Sequence, residues 1–310
     1  MEKMGLSVVV PVYGCAGSVL VLCERLVNVL DTQSVGYEII LVNDGSSDGA
    51  WSIIQSLSAD NSNIKGIDLS RNFGQHAAIA AGLEHSSGEW LIVMDCDLQD
   101  QPEEIPKFIA KAQEGFDVVF GRRYQRADSV IKKSSSLLYR KVFDYWVGTK
   151  SDPAICNFGI YNRKVIEAYL SMREQSRTLI YFVRWLGFRS TAIDIEHAPR
   201  AAGRSSYNTS KLVDLALNTI ISHSNKPLKT SISFGFLMAF LALCYAGYIV
   251  YRYIFWGITV AGWTSTIVSI YFVGGLILAN LGVLGLYLGK VFDEAKSRPR
   301  FVVREITRKD

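Results

Sequence analysis

The sequence lacks the cysteine patterns that build metal ribbons. Its five cysteines, Cys15, Cys23, Cys96, Cys156 and Cys244, include no CxxC pair and no metal-ligand spacing, which fits a large domain kept reduced in the cytoplasm. Cys96 reads as a small packing residue, since a thiolate is too soft for the hard cations considered below. No internal repeat and no low-complexity tract occurs. The net charge of +4 is too small to argue for nucleic acid. No signal peptide is read at the start: the apolar run 6–10 is too short, and Pro11 and a turn follow it.

The most telling scarcity is charge. Between residues 231 and 288 the only charged side chain is Arg252. Two stretches, 231–255 and 266–288, have the length and apolarity that about 30 Å of hydrocarbon requires. The linker 256–265 carries no charge, while Lys211, Lys226 and Lys229 precede the first stretch and seven Lys and Arg follow the second, from Lys290 to Lys309. The positive-inside rule then places both termini in the cytoplasm. Gly275, Gly282 and Gly289 form a small-residue stripe that serves either self-association or packing inside the hairpin. Asn280 is expected to bond across a helix contact.

The first two thirds alternate apolar runs with helical patterns, which predicts an α/β domain with a mainly parallel sheet. Strands are expected at 6–10, 38–42, 64–69, 90–94 and 117–120, and a small-residue helix at 75–85. Polar residues gather after the strand ends, the edge at which open α/β sheets bind ligands. Asp48 there reads as a helix cap. Asp95 and Asp97, alternate residues just past a strand, present carboxylates to a common point. With the Gln99 amide they make a hard-oxygen set suited to Mg²⁺ or Mn²⁺, with diphosphate and water completing the shell.

The segments SVVVPVYG, EIILVNDGSSD, LSRNFGQHAAIAAGLEHSSGEWLIVMDCDLQDQPE and VVFGRRY, in that order, resemble glycosyltransferase family 2 with its GT-A fold. The two apolar stretches make the chain similar to the polyisoprenyl-phosphate branch, which includes bactoprenol glucosyltransferases of O-antigen modification and dolichyl-phosphate mannose synthases. The resemblance implies inverting transfer of glucose or a related hexose from a UDP-sugar to polyprenyl phosphate. It implies Pro11 and Tyr13 at the nucleobase, Asp44 at base or ribose, Asp95 and Asp97 at nucleotide and metal, and Gln99 as a third metal contact. Arg123 and Arg200 match phosphate-binding arginines. A lysine of the family pattern is replaced by Ser206, and Arg204 stands near enough to substitute. An aspartate that some relatives carry is Asn157 here. Asn is no base, but a lipid phosphate is already anionic, so Asn157 is expected to position the acceptor. Asp95, Asp97 and Asn157 form the candidate catalytic set.

Residues 130–147 and 207–222 read as amphipathic segments, for the membrane interface or for core packing. Lys132 and Lys133 would draw an anionic lipid headgroup. The expected layout is a catalytic domain at 1–228, two spans at 229–290 and a basic tail at 291–310, in the bacterial plasma membrane. The expected partners are the nucleotide-sugar, polyprenyl phosphate, membrane lipid and further copies of the chain, with a tetramer as one form; nucleic acid is not expected. Two rivals stand beside this reading. One is transfer to a different acceptor such as a polysaccharide; the Q-x-x-R-W signature of processive synthases is absent, with Tyr181 three residues before Arg184-Trp185. The other is a non-catalytic membrane scaffold.

Overall fold

A computed structural model describes residues 5–33, 35–123, 146, 154–172, 174, 178–196, 221, 224–256 and 262–307. Lys132, Lys133, Arg200, Arg204 and Ser206 lie outside the described residues, as do both amphipathic segments apart from Trp146 and Ile221. The chain divides into two units: Met1–Ala127 with Asp152–Ser205 and Arg298–Asp310, and Asp128–Ser151 with Ser206–Ser297.

The first unit is built on β1 (Leu6–Val12), β2 (Tyr37–Asn43), β3 (Ile64–Leu69), β4 (Trp90–Val93), β5 (Val118–Arg123), β6 (Ile155–Asn162), β7 (Ser190–Ile195) and β8 (Val303–Ile306). They form one sheet in the order β7-β5-β6-β4-β1-β2-β3-β8. All seven residues of β1 are buried, as its near-continuous apolar run requires of a strand covered on both faces. β1, β2, β3 and β4 pair in parallel, and so do β5 and β7, while β6 runs antiparallel to β4 and β5. The sheet is therefore mixed, with the expected parallel core. Five strands follow the apolar runs read from the sequence; β6, β7 and β8 are additional.

Helices α1 (Ala16–Asp31), α2 (Ala50–Asp60), α3 (Gln75–Glu84) and α4 (Ile105–Gln113) join the strands, with α5 (Arg163–Ser171) and α6 (Leu179–Leu186) later. Helix α1 buries Val19, Leu22, Cys23, Leu26 and Leu30, one stripe at helical spacing. Helix α3 lies unusually near the sheet because its face is small; a Cβ at Gly82 would strike Val9 and Val42. That approach sets the N-terminus of α3 beside the strand ends.

The basic C-terminal stretch is not simply a charged tail. Strand β8 closes the β3 edge antiparallel, with Ile67 opposite Ile306. Arg304 pairs with buried Asp68 at 3.2 Å and donates to the Ser70 carbonyl at 2.6 Å. Thr307 exchanges backbone and hydroxyl hydrogen bonds with Gly66.

The second unit contains α7 (Lys226–Trp256) and α8 (Trp263–Ala295), of 31 and 33 residues. Both are long and apolar enough to cross a membrane. They outrun the apolar stretches because charge ends a hydrocarbon span without ending a helix. Ser231 donates to the Asn280 side chain, and Asn280 donates to the Leu276 carbonyl at 2.8 Å. The expected cross-helix role of Asn280 is therefore observed. A Cβ added at Gly275, Gly282 or Gly289 meets no described atom within 4 Å.

Candidate active site

Strand register gathers the candidate residues. β1 pairs Val9 with Val93 of β4; two residues on, Pro11 adjoins Asp95. β4 pairs Val93 with Gly159 of β6 in antiparallel register, so the same two steps set Asp95 opposite Asn157. β1 pairs Val12 with Asn43 of β2, and the Asp44 amide continues the ladder to the Val12 carbonyl at 2.9 Å. β5 ends on Arg123, whose amide donates to the Ala154 carbonyl at 2.9 Å at the mouth of β6. Pro11, Tyr13, Asp44, Asp95, Asn157 and Arg123 thus share one sheet edge. Pro11 is buried, while Tyr13 is 60% exposed and presents its ring to solvent.

Asp95 is the most constrained of these groups. The Gln75 amide donates to its Oδ1 at 2.6 Å, and the Asn157 side chain also bonds it. Burial, reinforced by Asp100 and Asp97, pushes its carboxyl up to about 6, against the opposing pull of Arg123 and the Asn157 hydrogen bond. Asn157 therefore faces Asp95. Its place on β6, between buried Cys156 and Phe158, follows strand alternation.

The loop carrying Asp97 and Gln99 is tightly held. Leu98 adopts φ +60°, a left-handed conformation costly for a branched side chain. The Gln99 backbone N–H donates to Asp97 Oδ1 at 3.2 Å, and the Ser18 hydroxyl donates to the Cys96 carbonyl at 2.7 Å. Arg25 of α1 reaches Gln101 and, at 2.9 Å, Glu103. A disulfide joins Cys96 to Cys15, 81 residues away. This corrects the reading of Cys96 as mere packing and of the cysteines as all reduced; Cys23, Cys156 and Cys244 are the free ones. No sequence spacing signals such a pair, because the parallel pairing of β1 and β4 is what brings the two loops together.

Asp44 is 2% exposed and accepts from the amides of Phe73 and Gly74 at 2.7 and 2.9 Å. Burial raises its carboxyl, and those two amides and Arg71 counter the shift. It clamps the loop entering α3 to the end of β2. Gly45 next to it sits at φ +65°, where a Cβ would meet Asn72 N at 2.6 Å. Asp48 accepts from Ala50 and Ala16 amides at 3.2 and 2.9 Å, so its capping role extends to α1.

Asp95, Asp97 and Gln99 suit a divalent cation by donor chemistry. Among the described residues no group of three His, Cys, Asp or Glu is placed as a cage, and Mg²⁺-type sites need none: one or two carboxylates plus substrate phosphate suffice. The crowding of Asp95 by Asp97 and Asp100 is the strain a cation would relieve. Gln75 and Asp100 escaped the sequence reading. The signal for Gln75 was its place as the first residue of the helix that follows β3.

Carboxylates and an arginine converge past the central strands of this mixed, GT-A-like sheet. The family model described as Glycosyl transferase family 2 matches residues 7–170, and the chain belongs to that family. Relatives span nearly the full length. An uncharacterised glycosyltransferase of Synechocystis is 36% identical over 302 residues, 97% of this chain and 95% of that one. The undecaprenyl-phosphate 4-deoxy-4-formamido-L-arabinose transferase of Shewanella sediminis is 34% identical, covering 97% and 92%. A prophage bactoprenol glucosyl transferase homolog of Escherichia coli is 32% identical, covering 98% and 99%.

Proposed function

We propose that the enzyme transfers a hexose, glucose or a close relative, from a UDP-sugar to polyprenyl phosphate at the cytoplasmic face of a bacterial plasma membrane. The observation that carries this reading is the convergence of Asp95, Asp97 and Arg123 at the sheet edge, in a chain with two helices able to span hydrocarbon. Relatives named for undecaprenyl phosphate and bactoprenol over the whole length support the lipid acceptor.

Asp95, Asp97 and Gln99 would hold Mg²⁺ or Mn²⁺, which when bound supplies charge neutralisation for the departing diphosphate. Tyr13 offers an exposed ring to the base, and Asp44 shapes the neighbouring loop. Arg123 meets the diphosphate. The acceptor phosphate oxygen attacks the anomeric carbon from the face opposite the leaving group. The carbon–oxygen bond to the diphosphate breaks, its electron pair leaves with the nucleotide, and configuration inverts. The acceptor is an anion before it attacks, so no side chain need take a proton. Asn157, beside Asp95, would help orient that carboxylate and position the acceptor. Lys132, Lys133, Arg200 and Arg204 would draw the acceptor phosphate. The basic residues before the first helix and after the second support a cytoplasmic placement of both termini and the catalytic domain.

The test is transfer of label from a panel of nucleotide-sugars into the organic phase with polyprenyl phosphate present, with and without chelator. Label from one UDP-sugar, lost with chelator and in Asp97→Ala, is the expected result. Full transfer by Asp97→Ala, or no label from any donor, would sink the reading.

A further inference from the structure

Two adjacent arginines end β5, and the structure separates their duties. Arg122 turns outward and pairs with Asp194 at 2.6 Å, both exposed. Arg123, on the opposite face of the strand by simple alternation, turns to the carboxylate loop. There its guanidinium stands 3.6 Å from Asp100, whose side chain has no solvent exposure while that of Arg123 keeps 33%. The Nε of Arg123 is buried without a hydrogen-bond partner among the described residues. One end of the guanidinium thus lies against a buried carboxylate and the other reaches the open edge. Asp100 also lies within electrostatic reach of Asp95 and Asp97, whose charges oppose its own.

We propose that Asp100 is a positioning residue, a buried carboxylate that aims the Arg123 guanidinium at the donor diphosphate. The proposal rests on the reading of Arg123 as a diphosphate contact. A planar guanidinium carries five N–H donors in a rigid fork, so it serves a carboxylate behind and a phosphate in front at once. An ammonium on a flexible stem carries the same charge without that geometry. A buried carboxylate without its cation is costly, and here Asp97 and Asp95 add like charge around it. Purely structural packing would be served as well by an apolar side chain of similar size. The retained carboxylate makes sense through what it holds, the Arg123 guanidinium.

The test compares Asp100→Asn, Arg123→Gln and the double variant in the full-length, detergent-solubilised enzyme. Each is measured for UDP affinity with Mn²⁺, for kcat and KM with the active donor, and for thermal melting. Asp100→Asn is expected to melt as a folded protein and to lose about 10- to 100-fold in kcat/KM, the usual cost of losing a supporting hydrogen-bond partner. The double variant is expected to be no worse than Arg123→Gln alone, because both substitutions disable one unit. Additive losses, or Asp100→Asn at the wild-type level beside an impaired Arg123→Gln, overturn the positioning role alone. Unchanged UDP affinity and transfer in Arg123→Gln overturn the donor-site reading, and the proposal with it. Should Asp100→Asn fail to fold, Arg123→Lys decides. Loss as deep as that of Arg123→Gln supports an aimed fork, and full transfer by the lysine variant overturns it.

Discussion

Asn157, on the antiparallel strand β6, hydrogen-bonds the carboxylate of Asp95 at the end of β4. Removing the amide leaves a buried carboxylate short of one donor, a loss of about 1–3 kcal/mol. Asn157→Ala is therefore expected to lower kcat/KM by about tenfold or more, since 1.4 kcal/mol is a factor of ten. Steady-state kinetics check it. An effect confined to the acceptor KM would instead tie Asn157 to the lipid.

Asp95 also carries a pH signature. Its carboxyl is raised from 3.8 to about 6, so between those values the folded protein binds more protons than the unfolded chain. The stability of metal-free enzyme should accordingly fall as pH rises through that window, and be fullest below it. Melting in chelator from about pH 4 to 7 tests this. Asp95→Asn should show a flatter profile than wild type, and superimposable profiles would count against the shift.

The Cys15–Cys96 disulfide closes a long loop, 81 residues apart in sequence. On the chain-entropy account such a closure contributes about 4 kcal/mol. Cys96→Ser should melt lower than wild type without reductant and match it in dithiothreitol. Because cytoplasmic disulfides are uncommon, thiol alkylation of freshly broken cells is the companion measurement. Protected Cys15 and Cys96 there would show that the bond persists in the cell.

Strand β8 covers the edge of β3, and Arg304 pairs with Asp68, which is 1% exposed and also accepts from Asn43 at 2.7 Å. Ending the chain after residue 297 uncovers that edge and strands the Asp68 carboxylate. The expected outcome is aggregated or inactive protein. Arg304→Ala should fold but lose about 1–3 kcal/mol, read by denaturant titration. Full stability of the truncated chain would argue against β8 as part of the sheet.

How legible the chain was varied with the kind of signal. β1 and β4 were plain because strands buried on both faces must be continuously apolar, and Asp95 and Asp97 follow β4 at once. β6 was hidden: its residues 155–162 mix Asn157 and Gly159 with apolar positions, and its pairing partners lie far away in sequence. β8 was hidden behind its charge, since an edge strand tolerates exposed residues such as Arg304 and Glu305. Gln75 and Asp100 are ordinary polar residues until the fold sets them against Asp95 and Arg123.

By itself the sequence determined the parallel core, the two apolar helices and the carboxylate pair after β4, because each depends on residues close together in the chain. Only the tertiary structure decided what those carboxylates face. Asn157 and Gln75 on Asp95, Asp100 behind Arg123, Cys15 bonded to Cys96 and Arg304 on Asp68 are all meetings of distant segments. Their physical cause is strand order and register, which local periodicity does not encode.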